Sequence, residues 1–197
     1  MIAFMKTYKN TLHYFFSLTE ALEQLPGIGK KSAQKMAYSL SVEDKYMALK
    51  IAHSIENAID NVRKCKICGG LSESEICEIC LDENRQNSQL CVVLHPKDIF
   101  TIEEIGDFEG KYKVIDELEK IDFVFFRKYI QENKIKEIIF AFSPTLANDA
   151  IMLFIEDKLQ DLDLVFSKIA QGVPTGIGLE NIDQLSLLRA FTSRVKL

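Results

Sequence analysis

The sequence lacks long apolar runs, internal repeats and low-complexity tracts. No apolar segment approaches the roughly 20 residues needed to cross a bilayer, and the N-terminus shows no signal-peptide pattern. Hydrophobic residues nevertheless make up 47% of the 197 residues, which is enough for a substantial core. We therefore expect a soluble, cytoplasmic protein of one large or two smaller domains, without a membrane partner.

Net positive charge is also lacking. The chain carries −5, which argues against a general nucleic-acid binder. The charges are unevenly distributed, however: residues 1–64 hold nine Lys and Arg against six Asp and Glu, a balance of +3, whereas residues 65–197 carry −8. A basic N-terminal segment on an acidic body predicts local rather than global attraction for phosphate.

Cysteines are few, but four of the five form a regular pattern. Cys65 and Cys68 are separated by two residues, as are Cys77 and Cys80 after a gap of eight. Two such pairs predict a structural zinc site, because four thiolates complete the tetrahedron that zinc prefers and leave no position for a substrate. Two disulfides or four free thiols are the alternatives, but nothing in the sequence points to an oxidising compartment. Cys91, the fifth, is expected to be a buried small hydrophobe.

A glycine-containing turn before a basic helix is the second informative stretch. Two glycines flank one apolar residue after Pro26, and a helix is expected to follow through Tyr38 or Leu40. Backbone N–H groups at such a helix start, together with the helix dipole, form an anion site that reads the DNA backbone rather than its bases. The alternative is a packing unit with solvated lysines. The candidate DNA-binding residues are Gly27, Gly29, Lys30, Lys31 and Lys35.

Apolar periodicity predicts the remaining elements. A first helix is expected over residues 1–18, a second over Glu20–Leu25 with Thr19 as its N-cap, and a long one over Val42–Val62. After residue 88, short apolar segments alternate with helical ones, which indicates right-handed crossovers and a mainly parallel sheet. The expected strands are Leu90–Leu94, Lys111–Ile115, Glu137–Phe142 and Leu162–Phe166. The expected helices are one from Asp98, as its cap, to Ile105, then Asp122–Asn133, Asn148–Leu159 and Ile182–Phe191.

Four motifs, in this order, resemble those of the RecR family of bacterial recombination mediators. They are a helix-hairpin-helix, a four-cysteine zinc knuckle, the first strand of a Toprim-like α/β domain and a closing motif. The matching segments are Leu25–Lys35, Cys65–Cys80, Cys91–Val93 with Pro96 and Asp98 beyond, and Ile169–Pro174 leading to Gly178–Asp183.

The resemblance implies an α/β protein with four segments. A helical domain with the helix-hairpin-helix is expected over residues 1–62 and the small four-cysteine zinc knuckle over 63–87. A Toprim-like domain over 88–170 would have a mostly parallel sheet with flanking helices. A Walker B-like segment with a C-terminal helix would follow over 171–197.

The resemblance also implies a function. RecR proteins are non-enzymatic DNA-repair factors that form homo-oligomers, dimers or tetrameric rings, around DNA. They act with RecO, and possibly RecF, to load RecA on single-stranded DNA, so a nucleoid-associated location is expected. In that family the hairpin lysines face DNA. The matching positions are Lys31 and Lys35, whereas the position of Lys30 is more often proline.

Two acidic motifs of catalytic Toprim domains are missing. Such domains hold Mg²⁺ with a Glu after the first strand and an Asp-x-Asp after a later one. Here Leu94 stands at the first position and Phe142–Thr145 at the second, with Asn148 and Asp149 nearby. We therefore expect the fold without its chemistry. The alternatives are a metal-dependent Toprim nuclease or primase-like enzyme, and a protein adaptor whose hairpin only packs.

Glu180 and Asp183 resemble the acids of the family's Walker B-like motif. The chain contains no GxxxxGK[ST] loop, so a nucleotide role for the pair has little support. We expect Glu180 to cap or precede the last helix and Asp183 to be solvated.

Overall fold

The computed structural model describes residues 11–170, 176 and 178–192. The chain divides into two compact units, one up to Asn61 and one from Val62. The finer division into four segments stays a prediction. No described helix combines the length and the apolar character that crossing a bilayer requires.

The described part of the first unit is helical. Helix α1 covers His13–Glu23, α2 covers Lys30–Tyr38 and α3 covers Lys45–Asn61, with a π-helical turn over Ser39–Glu43 before α3. Helices α1 and α2 pack against each other. Ala33 and Ala37, one turn apart on α2, are fully buried, and their small side chains allow close helix packing.

The expected helix break at Thr19 is wrong. Helix α1 continues through this residue, whose hydroxyl donates to the carbonyl oxygen of Phe15 at 2.9 Å instead of capping a new helix. No Gly or Pro stands there to interrupt the segment. Residues 1–10 of the expected first helix lie outside the described residues. Helix α3 starts later than expected, because the Asp44 carboxylate accepts the N–H of Met47 at 2.8 Å and caps it.

The second unit contains a small antiparallel ribbon and a four-stranded parallel sheet. Strands β1 (Arg63–Lys64) and β2 (Leu71–Ser72) form the ribbon, and the short helix α4 (Glu78–Leu81) follows. The sheet has the order β4-β3-β5-β6 with every neighbouring pair parallel, which confirms the predicted topology. Its strands are β3 (Gln89–Val93), β4 (Lys111–Val114), β5 (Glu137–Phe140) and β6 (Val165–Lys168).

Helices flank this sheet and bury both of its faces. Leu90 and Val92 of β3 belong to one apolar cluster, whereas Cys91 and Val93 belong to another. Because successive strand residues point to opposite faces, the two clusters lie on the two sides of the sheet. Cys91 is buried, as predicted. The flanking helices are α5 (Pro96–Glu103), α6 (Phe123–Glu132) and α7 (Leu146–Leu159), whereas helix α8 (Gln184–Thr192) contributes no described residue to either cluster.

Several predicted boundaries differ from the structure by one to three residues, for example at the end of β5 and at the start of α5, β6 and α7. Asp98 is not the N-cap of α5. His95 holds that position, and the Asp98 carboxylate accepts the His95 N–H at 3.1 Å from inside the first turn. Strand β6 begins at Val165 rather than Leu162. Helix α8 begins at Gln184 because Asp183, just before it, accepts the N–H of Ser186 at 2.9 Å.

A charged cluster joins the end of α5 to strand β4. Glu103 accepts hydrogen bonds from Arg85 at 3.0 Å and from the hydroxyl of the fully buried Tyr112 at 2.6 Å. Changing Glu103 to Ala would leave that hydroxyl without its acceptor, and the guanidinium would lose this carboxylate and keep its hydrogen bond to the carbonyl oxygen of Gly110. We therefore expect the free energy of unfolding to fall by about 2 kcal/mol. Denaturant titration measures this. Glu104→Ala, an exposed change one residue further on, is the matched control, and an equal loss there would contradict the role given to Glu103.

Candidate functional site

The turn between α1 and α2 leaves the start of α2 uncapped. Gly27 adopts a φ of +80°, which glycine allows without strain. The N–H of Ile28 closes the turn on the carbonyl oxygen of Leu25 at 3.1 Å. Gly29 is the N-cap and has no side chain to offer as acceptor. The first helical hydrogen bond runs from Ala33 to Gly29 at 3.0 Å, so the preceding three amides have no partner inside the helix.

These three amides face open space. Within the part of the chain that the structure describes, no acceptor reaches the N–H groups of Lys30, Lys31 and Ser32. A Cβ atom added at Gly27 or Gly29 would meet no other atom within 4 Å. Backbone N–H groups and the positive end of the helix dipole therefore converge at an accessible place, which is a suitable site for an anion.

Cationic side chains surround this site. Lys30, Lys31 and Lys35 are exposed, and none of them has a hydrogen bond or ion pair with another described residue. Lys31 and Lys35 are one turn apart on the same side of α2. The helix contains no acidic residue that would neutralise them. The structure thus brings the five predicted residues together, and their contact with DNA stays a prediction.

The four knuckle cysteines form the ligand set of one structural zinc ion. Their sulfur atoms all lie within 4.8 Å of one another. Cys65 Sγ is 3.9 Å from Cys80 Sγ, and Cys68 Sγ is 3.6 Å from Cys77 Sγ. A tetrahedron with Zn–S bonds near 2.3 Å requires sulfur separations of about 3.8 Å. The geometry fits zinc, and all four thiols are free of disulfides.

Backbone amides support two of these sulfur atoms. Gly70 donates its N–H to Cys68 Sγ, and Cys77 donates its own to Cys65 Sγ, each at 3.3 Å. The pKa of the Cys68 thiol is lowered to about 5, chiefly by a hydrogen bond from the Cys80 thiol and further by the one from Gly70. The two backbone N–H donors offset negative charge on the thiolates and fix their orientation around the metal.

The knuckle covers the edge strand β4. The N–H of Val114 donates to the carbonyl oxygen of Cys68 at 2.7 Å, so the knuckle backbone pairs with the strand. Gly69 has a φ of +79°, and a Cβ there would lie 3.2 Å from Val114 Cβ, which explains the glycine. An unpaired edge strand can pair with another chain and cause aggregation. The zinc knuckle covers the free edge of β4.

Two lysines of β4, Lys111 buried and Lys113 half-buried, connect the strand to the knuckle, and sequence reasoning missed both. Lys111, only 5% exposed, donates to the carbonyl oxygens of Ile79, Cys80 and Asp82 at 2.7–3.1 Å. Lys113 donates to the carbonyl oxygen of Ile67 at 2.9 Å, and burial lowers its pKa. Lys111 and Lys113 are two residues apart in a strand, so their side chains point to the same face of the sheet. This spacing, in a strand that follows a cysteine knuckle, was the sequence signal that could have indicated their contact with it.

The strand ends where catalytic Toprim domains hold metal carry no carboxylate cluster among the described residues. Leu94 follows β3 and packs against the apolar core, and Ser143 follows β5. Asn148 lines the cavity at these strand ends, whereas Asp149 lines a different cavity with Phe140. In the part of the chain that the structure describes, the cysteine knuckle is the only group of three or more metal-ligating side chains close enough to share an ion.

Glu180 and Asp183 do not share a helix face. Glu180 lies in a 3₁₀ turn over Leu179–Asn181, and Asp183 caps α8 through Ser186. The prediction that Glu180 precedes the last helix is confirmed, whereas Asp183 has this structural role besides its exposure to solvent.

An accessible helix-hairpin-helix turn, a four-cysteine zinc site and a parallel α/β unit together define a zinc-containing helix-hairpin-helix protein. Comparison with known proteins gives the family. The family model for the RecR helix-hairpin-helix matches residues 16–59, and that for the RecR four-cysteine zinc finger domain matches residues 62–82.

Three similar relatives are each named recombination protein RecR. The one from Helicobacter pylori is 60% identical over 192 residues, covering 98% of this chain and 100% of the relative. Those from Nitratiruptor and Campylobacter jejuni subsp. doylei are 49% and 46% identical over 189 and 186 residues. These matches cover 96% and 94% of this chain, and 100% and 98% of the relatives. The chain belongs to the RecR family of recombination proteins, as its motifs predicted.

Proposed function

We propose that this chain is a DNA-repair recombination mediator that binds the sugar–phosphate backbone of DNA without regard to base. The observation that carries the proposal is the open turn at the start of α2. Three free amides lie there beside three lysines that have no partner among the described residues. Amides and ammonium groups are donors that bind phosphate oxygens, and these contacts position a protein on DNA without reading its sequence.

One hairpin alone binds weakly. About three phosphate contacts, each adding roughly −0.9 to the salt slope, give modest affinity at physiological salt. Several hairpins on one DNA molecule would strengthen binding through their effective concentration. The proposed function therefore includes self-association, with the basic hairpins facing DNA and the acidic body facing solvent or partners.

Helix α3 offers a surface for self-association. It contains no buried residue, although Ile51, Ile55 and Ile59 form a stripe at i, i+4 along one side. Their exposed fractions are 40%, 54% and 75%. A continuous exposed apolar stripe of this kind is typical of a covered interface. A second copy of the chain is the occupant that fits the proposed assembly.

Introducing a charge into this stripe is expected to dissociate the assembly. Ile55→Lys places an ammonium group where an apolar surface must be buried, and we expect the mass in solution to fall toward the 22.5 kDa of one chain. Light scattering during size-exclusion chromatography measures this. Asn57→Lys, which adds the same charge on the opposite side of α3, is the control and should keep the larger mass. Equal masses for both variants would contradict this interface.

The mediator role also includes partners. We propose that an oligomeric ring or clamp on DNA acts with RecO, and possibly RecF, to load RecA on single-stranded DNA in the cytoplasm, at the nucleoid. The family membership supports this proposal. A RecA-loading assay on strands coated with single-strand-binding protein tests it, and loading unchanged by the addition of this chain with RecO would contradict it.

The proposed function includes no turnover. Leu94 and Ser143 replace acids that a Toprim metal site requires, and neither side chain is a metal ligand comparable to a carboxylate. We expect no Mg²⁺-dependent cleavage or synthesis on DNA or RNA substrates. Metal-dependent products that disappear after mutation of this strand edge would favour the enzyme instead.

A further inference from the structure

A cavity of about 800 Å³ lies at the carboxyl ends of β3, β5 and β6. Strand β4 lies on one side of β3, and the next strand, β5, lies on the other side. The direction in which strands are added to the sheet therefore reverses between β3 and β5. In open parallel sheets, ligands bind outside the carboxyl ends of the strands at such a reversal. The volume is within the usual range of small-molecule sites.

The charges that line this cavity favour an anion. Lys97 lies on its wall and has no hydrogen bond or ion pair with any residue that the structure describes. Arg189 is held by a hydrogen bond from Nη1 to the carbonyl oxygen of Pro144 at 3.2 Å, which places its guanidinium at the wall. Asp98 is the one acidic residue in the described lining, and its carboxylate already accepts the N–H of His95.

Neutral groups in the lining divide into two kinds. Hydroxyl and amide side chains suited to phosphate oxygens come from α5, the segment after β5, the first turn of α7 and α8, namely Thr101, Ser143, Thr145, Asn148 and Ser186. Leu94, Ile102, Phe142 and Ile169 supply apolar wall. Asn148 is positioned by donating its side-chain N–H to the carbonyl oxygen of Ser143 at 2.8 Å, which keeps its amide at the cavity.

We propose that this cavity binds a phosphate monoester, carried either by a free mononucleotide or by the phosphorylated end of a nucleic-acid strand. Lys97 and Arg189 would bind the phosphate oxygens, and Leu94 keeps negative charge away from the place that an acid occupies in catalytic Toprim domains. The cavity would therefore bind an anion at the place where catalytic Toprim domains bind a metal cation. It lies apart from the hairpin in sequence and unit, and it does not rest on the proposed function.

The full-length, zinc-loaded chain can be titrated with AMP and with inorganic phosphate by calorimetry in the absence of divalent cations. We expect saturable binding of at least one probe, and a loss of about tenfold or more in affinity for Lys97→Ala with Arg189→Ala, since each removes a charge-assisted hydrogen bond. Lys128→Ala, at an exposed position on α6 outside the cavity, should leave the affinity unchanged.

Two substitutions at position 94 test the effect of negative charge separately from that of side-chain shape. Leu94→Glu and Leu94→Gln introduce side chains of the same shape, and only the first adds a negative charge. We expect Leu94→Glu to bind the phosphate probe at least about fivefold more weakly than Leu94→Gln. Far-ultraviolet circular dichroism checks that both fold. Equal affinities for the pair, or no saturable binding of either probe by the wild type, would overturn the proposal.

Two further comparisons distinguish the sources of phosphate. If AMP binds more tightly than inorganic phosphate, the apolar wall contacts the base, and this result favours a free nucleotide. Displacement of the bound probe by a 5′-phosphorylated oligonucleotide, but not by its unphosphorylated counterpart, assigns the cavity to a strand end. Lys31→Ala with Lys35→Ala should change neither result, so failure at the hairpin and failure at this cavity are separable.

Discussion

Changing Lys31 and Lys35 together to alanine is expected to remove most DNA binding at physiological salt. Each lysine that neutralises a phosphate contributes about −0.9 to the slope of log K against log salt. Losing two should lower the magnitude of that slope by about 1.8 per engaged hairpin, which corresponds to roughly thirtyfold in affinity near 0.15 M salt. In an assembly the losses of several hairpins combine, so the measured effect should exceed this.

The measurement is binding to a duplex and to a single strand across a salt series. Lys128→Ala with Lys158→Ala is the control, because it removes the same total charge from exposed positions on α6 and α7. If global charge governed binding, both double variants would lose affinity equally. An unchanged slope in the hairpin variant would show that the open turn at α2 is not the DNA contact.

Replacing Cys68 with serine is expected to remove the zinc ion and unfold the knuckle. Structural zinc sites in small peptides contribute on the order of 10–16 kcal/mol at neutral pH, and this knuckle is too short for a core of its own. Unfolding of the knuckle would also remove the carbonyl acceptors of the buried Lys111 and the half-buried Lys113. We therefore expect the zinc content to fall from one ion per chain to none, and the α/β unit to unfold at a clearly lower temperature.

Cys91→Ala is the matched control for this change. It removes a buried thiol from the same unit, but one that lies in the sheet and not in the ligand set. We expect it to keep one zinc ion per chain and to cost only about 1–2 kcal/mol of stability. A Cys68→Ser protein that retains its zinc, or loses it without a drop in unfolding temperature, would contradict the structural role.

The features that the sequence predicted well are local ones. The spacing of Cys65, Cys68, Cys77 and Cys80 defines a ligand set without knowledge of the fold, because two residues between cysteines suffice for chelation. The parallel sheet follows from alternation of apolar and helical segments, which the order of β3 to β6 confirms. The turn before α2 was predictable for the same reason, since glycine and lysine act there through their immediate neighbours.

The features that the sequence did not predict depend on distant contacts. Lys111 and Lys113 are charged residues in a strand, and only the packing of the knuckle on β4 explains their burial. The cavity at the strand ends combines Lys97, Asn148 and Arg189, which are separated by tens of residues. Thr19 is an example of a local signal that misled the prediction. Threonine is a good capping residue, but helix α1 continues through it because tertiary packing outweighs the local preference.

Hydrogen–deuterium exchange at the hairpin shows whether the open turn is the DNA contact. We expect peptides covering residues 27–35 to exchange rapidly at their first amides in the DNA-free assembly and to become protected when a duplex of arbitrary sequence is added. Amides that are already protected without DNA, sealed in a contact between subunits, would contradict it. So would DNA binding that protects other segments and leaves this turn unchanged.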